Sequence, residues 1–593
     1  MTRRWGALAL FFWLASSIPA AAQAQDLQPG DERPELPSFP SEGEGARRLR
    51  VLPEVPSFEP EPARPGDALP RIALPESGGT GALQADARVA IREIRITGNT
   101  ALPDAALREI ASRYENRSLG LVEIEALRDE LTRAYVDRGY VTSGAVVPPQ
   151  SLDDGVLELE VVEGQLEKIE VETDGRFRES YLQRRLARAA GSPVNALSLR
   201  EQLLQFQHDE RIHSVHAQLQ PTEERGKAVL HVEVDEASPL VVSLAGNNYT
   251  TPSLGEGTAE IGLGYGNVTG FGDAIFANYR WSPGLHDVRG TYDIPFTDWD
   301  TRLQLSGRGT WARIIEHPFD NLHIESETQS YAVGLYQPVL RSAESDVEVF
   351  AQGEYRRSKS FLFGDPFSFS VGPEHGVAKL ALLRAGAQWT RRSARVVWAV
   401  RGQVTGGLDA LGATRNSDPN VPDGRFVAGL LQLQCATRLP WLGLQLLVRA
   451  DGQVADDPLL GLEQFSIGGR YTVRGYRENQ LVRDNGVVGG AELRVPIPSP
   501  RIGTWAPQLA IAPFYDVGYA SNNRRHPFAR GEDRVLESVG VGALMEIVPG
   551  LDFEVYYGES LRPVRQSGEW SLQDESVHME LRWGFRGWPW PWQ

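Results

Sequence analysis

A single cysteine, Cys435, stands in 593 residues, so no disulfide framework forms within the chain and cysteine ligand clusters are excluded. No stretch after the N-terminus holds about 18 uninterrupted apolar residues, which rules out a helical membrane protein. It leaves a membrane β-barrel open, because alternating strands average to a polar composition, and mean hydropathy here is −0.31. An excess of basic residues is also missing: the net charge is −18 and the pI about 5.2, which argues against a general affinity for nucleic acid. No G-x-x-x-x-G-K-[ST] and no G-x-S-x-G occurs. Gly264-Tyr265-Gly266 lacks the further glycine of a dinucleotide loop and falls in a strand pattern. No catalytic residue, metal ligand or cofactor is therefore expected, and enzymatic activity is the reading with least support.

What is present points outward from the cytoplasm. Arg3 and Arg4, the apolar run Gly6 to Ala15 and the small-x-small site Ala22-Gln23-Ala24 read as a secretory signal over residues 1–24. Residues 25–87 carry prolines at 29, 34, 37, 40, 53, 56, 60, 62, 65, 70 and 75. Such spacing is expected to prevent helices and ladders and to give an extended linker. At this length a single core is not expected, so further domains follow.

Residues 88–163 predict a small α/β domain of order β-α-α-β-β. Ile91, Ile94 and Ile96 precede the turn Gly98-Asn99, and Pro103-Asp104 opens a short helix. Leu121, Ile124, Leu127, Leu131 and Tyr135 share one face of a second helix, and Leu157, Leu159 and Val161 alternate with Glu158 and Glu160. Residues 164–237 repeat that order without letter-for-letter identity. His213 and His216, three apart on a strand, face opposite sides and read as ordinary polar residues, not as a metal pair.

From 238 to 593 no helical period persists and two-residue alternation takes over. Leu303, Leu305, Gly307, Gly309 and Trp311 alternate with polar neighbours, as do Leu551, Phe553, Val555 and Tyr557. Tyr and Trp recur near the ends of the apolar faces, as an aromatic girdle would require. A soluble sandwich is the alternative, but the secretory signal favours a closed barrel in a bacterial outer membrane. Sixteen segments are expected, starting near residues 239, 258, 273, 285, 301, 328, 345, 376, 394, 425, 443, 487, 508, 534, 551 and 576. Long polar gaps at His317–Glu325, Leu362–His375, Leu411–Gly424 and Asp456–Gly486 then lie outside the cell.

The longest of these gaps is apolar and aromatic, not wet. It contains Gly468-Gly469 and Val473-Arg474-Gly475-Tyr476 and is expected to fold back and pack inside the barrel. The thirteenth segment carries Phe514-x-Asp516-x-Gly518, which faces the lumen if Tyr515, Val517 and Tyr519 face lipid. Arg474 is expected to pair with Asp516, with Gly518 leaving room for the approach.

With these two motifs and this architecture, residues 88 to 585 resemble the two-partner secretion transporters of the haemolysin-activator type, within the superfamily of barrels with periplasmic POTRA domains. Val473-Arg474-Gly475-Tyr476 matches that superfamily's VRG[YF] loop, and Phe514-x-Asp516-x-Gly518 its strand-thirteen motif. The resemblance implies α+β periplasmic domains, two POTRA domains, followed by an all-β, 16-stranded antiparallel transmembrane β-barrel in the bacterial outer membrane. It implies secretion of a large partner protein, recognised by the POTRA domains and passed unfolded through the lumen. The expected partners are that exoprotein and outer-membrane lipid, with no nucleic acid, and a monomeric barrel is expected. An outer-membrane assembly factor shares the motifs but usually carries three or more POTRA domains, and a passive porin leaves the α/β repeat unexplained. The Pro-rich segment does not read as the pore-plugging helix that family members often carry, although Arg47 to Val51 is a short Pro-free gap. Phe585 takes the place of a terminal aromatic, and Trp588, Trp590 and Trp592 beyond it suit a tail resting at the membrane interface.

Overall fold

The computed structural model describes residues 71–72 and 88–584, apart from 153, 208, 210, 343, 441–442, 501–506, 528–533 and 565–567. The signal over 1–24, nearly all of the Pro-rich segment with Arg47 to Val51, and Phe585 with the Trp-Pro tail lie outside the described residues.

The first α/β unit forms where the two periodicities meet. Its three-stranded sheet places Val156–Val162 between Glu93–Thr97, in parallel, and Gly144–Val146, antiparallel. Leu157, Leu159 and Val161 point to one face. There they meet α1 (Asp104–Ser112) and α2 (Leu121–Val136), whose Ile124, Leu127, Leu131 and Tyr135 complete the buried cluster. The structure adds one pair to the expected order: Val89–Ile91 runs antiparallel to Arg117–Leu119. Three-residue pieces are too short for alternation to register in the sequence.

In the second unit Lys227–Glu236 lies between Gln165–Thr173, in parallel, and Ile212–Pro221, antiparallel. Its core joins Leu230, Val232 and Val234 to Leu182 and Leu186 of α3 (Glu179–Ala190) and Leu199, Leu203 and Phe206 of α4 (Ala196–Gln207). One expectation for the linker is corrected here. Arg71–Ile72 forms a two-residue parallel ladder with Gln218 and Leu219 at the sheet edge. The prolines at 70 and 75 flank this pair without interrupting it, and both residues keep the N–H that a ladder needs.

Beyond residue 239, sixteen strands among those described close a barrel, each antiparallel to its neighbours. They begin at residues 240, 258, 274, 285, 302, 325, 345, 377, 396, 427, 445, 485, 508, 534, 551 and 577. The two-residue strand Asp365–Pro366 caps the seventh and does not span the wall. The first strand (Leu240–Asn247) meets the sixteenth (Val577–Gly584) from Ser243↔Gly584 to Asn247↔Glu580, which completes the ring. Exposed apolar side chains band the outside, including Ile261, Leu263, Tyr279, Trp281, Val333, Leu335, Trp398, Val541 and Trp583. Such a continuous apolar band is unfavourable in water and suited to hydrocarbon. The polar alternates turn inward, where Arg280, Asp287, Arg356, Arg384, Asp451, Glu492 and Asp516 are buried.

Contacts from the second α/β unit fix which rim is which. Arg178 at the start of α3 donates its N–H to Gly270 O at 2.9 Å, and Tyr181 meets the ring of Phe271 edge-on. Arg185 of α3 binds Asp300 at 2.7 Å, and Arg341 reaches the same carboxylate at 3.3 Å. These partners lie in or beside the connections after the second, fourth and sixth strands, so that rim faces the α/β units. The connections after the odd-numbered strands lie on the opposite rim.

Candidate functional site

The segment between the eleventh strand (Gln445–Ala455) and the twelfth (Asn485–Ile497) folds back into the lumen as a hairpin. Phe465–Ile467 pairs antiparallel with Leu481–Arg483, and between Phe465 and Glu478 every residue except Tyr471 is buried. Phe465, Ile467, Val473, Tyr476 and Leu481 pack on Val488, Ala520 and Leu536 of the wall. This is why an apolar sequence can occupy a loop: its second layer is the inside of the barrel.

Glycines shape the tip. Gly468 and Gly469 have φ of +106° and +100°, a region that side chains disfavour. A Cβ on them would strike Gln480 and Glu478 of the returning limb. Gly475 has φ of +91°, and a Cβ there would stand 2.4 Å from the carbonyl oxygen of Gly558 in the fifteenth strand (Leu551–Ser560). The loop can approach the wall only because Gly475 and Gly558 both lack side chains. At Gly518 a Cβ would lie 2.9 Å from Val473 Cγ2, so this glycine makes room for Val473 beside the arginine.

Arg474 itself is 2% exposed and Asp516, in the thirteenth strand (Gln508–Ser521), 0%. Nε donates to Oδ2 at 2.7 Å, Nη2 to Oδ1 at 3.0 Å, and the backbone N–H to Oδ2 at 3.2 Å. The fork is bidentate, the strongest geometry between these groups. Nη1 donates to Glu492 Oε2 on the twelfth strand at 2.5 Å. The guanidinium carbon lies 3.6 Å from the Phe514 ring centroid and 4.9 Å from that of Tyr556. Phe514 thus serves as a floor for the arginine, a cation–π contact as well as an apolar wall. Tyr476 Oη lies 2.9 Å from Glu537 O and 3.0 Å from Arg562 O, so the last residue of the motif ties the tip to the far strands.

Several participants were not read from the sequence. Glu492 shares Arg474 with Asp516, so the expected pair is a triad. Arg449 bonds Thr472 O at 2.8 Å and reaches Asp516 at 3.4 Å. Arg470 binds Glu554 through Nε at 3.1 Å and Nη2 at 3.0 Å. At the root of the hairpin Glu463 lies between Arg356 at 3.3 Å and Arg384 at 3.0 Å, which both also hold Glu354. The available signal was alternation: Glu492 and Glu554 are acids on lumen-facing positions of their strands, although alternation does not say which cation each one meets. Nothing here arranges a nucleophile, a base and an oxyanion site, and among the described residues no group of His, Cys, Asp or Glu could hold a metal ion. The arrangement instead fixes a loop within a pore.

Comparison with known proteins decides the family. Residues 226–544 match the profile described as haemolysin secretion/activation protein ShlB/FhaC/HecB. The chain belongs to this family. Residues 89–164 also match the POTRA domain of ShlB type. Among curated relatives, the outer membrane transporter CdiB of Dickeya dadantii is 23% identical over 68% of this chain and 72% of its own. The hemolysin transporter protein ShlB of Serratia marcescens is 26% identical over 80% and 81%. Among solved structures, CdiB from Escherichia coli aligns with a TM-score of 0.64 at 19% identity, covering 87% of this chain and 94% of that one. This chain is an outer-membrane transporter of two-partner secretion, a class that implies a secreted partner protein, and its α/β units stand on the periplasmic side. The main reading from sequence is thereby supported over the assembly factor.

Proposed function

We propose that the periplasmic units, taken as POTRA domains over 88–163 and 164–237, receive the partner as an extended chain and hand it to the barrel of residues 238–593, which passes it unfolded. Residues 1–24 would act as the export signal and 25–87 as the linker. The observation that carries this reading is the lumen hairpin, seated by Arg474 between Asp516 and Glu492 in the path of a crossing chain. In this reading Gly468, Gly469, Val473, Gly475 and Tyr476 shape the hairpin, Phe514 and Gly518 accommodate it, and the nine motif residues position the loop without chemistry. Sheet-edge addition is physically apt for a partner with no fixed sequence, because backbone hydrogen bonds supply the affinity. The edge of the second unit already accepts Arg71–Ile72 in this way, which supports the idea that an extended segment can dock there. The apolar band supports a barrel embedded in lipid, taken in this reading to act as a monomer, and no step calls for a cofactor or a catalytic group.

The test is deletion of residues 88–163 in cells that make the partner. Secretion should stop while the barrel still reaches the outer membrane and shows heat-modifiable migration. Normal secretion through a correctly inserted deletion would overturn the recognition role.

A further inference from the structure

Three residues beyond Arg474, a second arginine points away from the wall and into the outer mouth. Arg477 forks onto Asp574, with Nε to Oδ1 at 2.6 Å and Nη2 to Oδ2 at 2.7 Å. Its Nη1 donates to Glu316 Oε1 at 2.8 Å and its Nη2 also to Glu569 O at 3.0 Å. Glu316 belongs to the connection after the fifth strand (Arg302–Arg313), and Glu569 and Asp574 to the connection after the fifteenth. The neighbouring residue extends the set. The N–H of Glu478 donates to Gln573 Oε1 at 2.8 Å, and Gln573 Nε2 donates to Asn248 O at 2.6 Å and Thr250 O at 2.7 Å, beyond the first strand. Glu256, on that same connection, accepts from Ser571 Oγ at 2.8 Å and from Leu572 N–H at 3.1 Å.

Three outward connections, those after the first, fifth and fifteenth strands, are therefore gathered, directly or through Gln573, at two consecutive residues of the hairpin. Arg477, Glu316 and Gln573 are buried. The closure is tight: a Cβ on Gly568 would stand 1.9 Å from Glu316 Oε1. The partners of Arg477 named above are loop residues on the extracellular rim, whereas Arg474 holds barrel strands.

We infer that Arg477 is a positioning residue that latches an extracellular gate, holding the connections after strands one, five and fifteen over the pore between transport events. The latch is separate from the Arg474 lock: one keeps the hairpin against the wall, the other keeps the mouth closed above it. A chain leaving the barrel must part these connections. Their charge-assisted bonds hold one closed arrangement by direction, and the freed groups regain water when they separate. The inference rests on the transport reading only in naming what opens the gate. Closure itself is read out without a partner.

The experiment compares full-length Arg477→Ala, Arg477→Lys and Glu316→Gln with the parent protein in planar lipid bilayers, with insertion checked by heat-modifiable migration. Arg477→Ala should raise the fraction of time spent conducting by about tenfold, the response to losing one charge-assisted latch. Arg477→Lys should restore part of the closure, since it keeps the charge and loses the fork. Glu316→Gln, which keeps the shape and removes one charge, should give a smaller rise. Parental current from inserted Arg477→Ala overturns the latch. Should that variant fail to insert, Glu316→Gln and Asp574→Asn decide, and parental current from both overturns it. Failure of the transport reading would show separately, as partner secretion unaffected by loss of the protein.

Discussion

Replacing Arg474 by alanine removes the cation shared by two buried acids, and the structure says what remains. Asp516 keeps Arg449 at 3.4 Å, and Glu492 keeps Arg494 at 2.8 Å. Breaking a fully buried pair costs about 3–5 kcal/mol. The two remaining arginines place this case near the lower end, at about 3 kcal/mol, or about a hundredfold in the fraction of unseated loop. Asp516→Ala should cost less, because Arg474 stays neutralised by Glu492 and stacked on Phe514. The double variant should be no worse than Arg474→Ala, with losses falling short of additive by about 1–2 kcal/mol. Arg474→Lys should recover part of the effect, since an ammonium cannot form the fork. The hairpin supplies its own assay: Arg470 and Arg477 are buried in the seated loop and become trypsin sites when it leaves. With opening fast relative to cleavage, the cleavage rate of the membrane-inserted protein follows the unseated fraction, and secretion should fall in the same order. Strictly additive losses, or Asp516→Ala more damaging than Arg474→Ala in correctly inserted proteins, would refute the triad.

Gly475→Ala places a side chain at φ of +91° and 2.4 Å from Gly558 O, costing about 1–3 kcal/mol. It should unseat the tip and impair secretion with insertion intact, and normal secretion would count against the close approach. In the first α/β unit Glu163 accepts from the N–H groups of Thr100 and Ala101, both at 2.8 Å, and from Tyr135 Oη at 3.0 Å. Burial pushes its pKa up, but these bonds and that from the Thr100 hydroxyl outweigh burial and hold it below the ordinary carboxylate value. The stability it contributes is present above its unfolded pKa and lost as pH falls through the lower folded one, so hydrogen-exchange protection of 88–163 in the intact protein should weaken below about pH 5. Glu163→Gln should flatten that acid limb, and an unchanged limb would exclude the carboxylate as its source.

Sixteen strand starts were legible because a transmembrane strand must alternate along its length, and lipid leaves the chain no other economy. The first residues of all sixteen fall within three positions of expectation. The pairing of helix faces in the α/β units was equally readable from Ile124, Leu127, Leu131 and Tyr135. The pair Val89–Ile91 with Arg117–Leu119 was not, since three residues carry no period. The ladder at Arg71–Ile72 was hidden for another reason: proline spacing speaks to what most of a segment cannot do, not to what two residues between prolines can. In the site, Val473-Arg474-Gly475-Tyr476 and Phe514-x-Asp516-x-Gly518 stood out by motif. Glu492, Arg449, Arg477 and Glu316 did not, because an ion pair across the barrel depends on register and loop path, which single-strand alternation leaves open.

The two kinds of contact on the hairpin divide the task of seating it. Phe465, Ile467, Val473 and Leu481 each gain on the order of 2 kcal/mol from leaving water, and that gain has depth but no direction, since an apolar face slides on another with little penalty. The arginines do the reverse. A buried ion pair recovers little more than its desolvation cost, so Arg474, Arg470 and Arg477 add modestly to depth. Their forks accept only one alignment, and a wrong alignment breaks the paired hydrogen bonds of the fork. The glycines at 475, 518 and 558 remove the bulk that would keep cation from anion. A loop seated in this way is exact in position and shallow in energy. Its charged tip loses little when water replaces the wall, whereas an all-apolar tip would resist every displacement in proportion to its area. That combination suits a segment lying in the path of a polypeptide that must cross the same lumen.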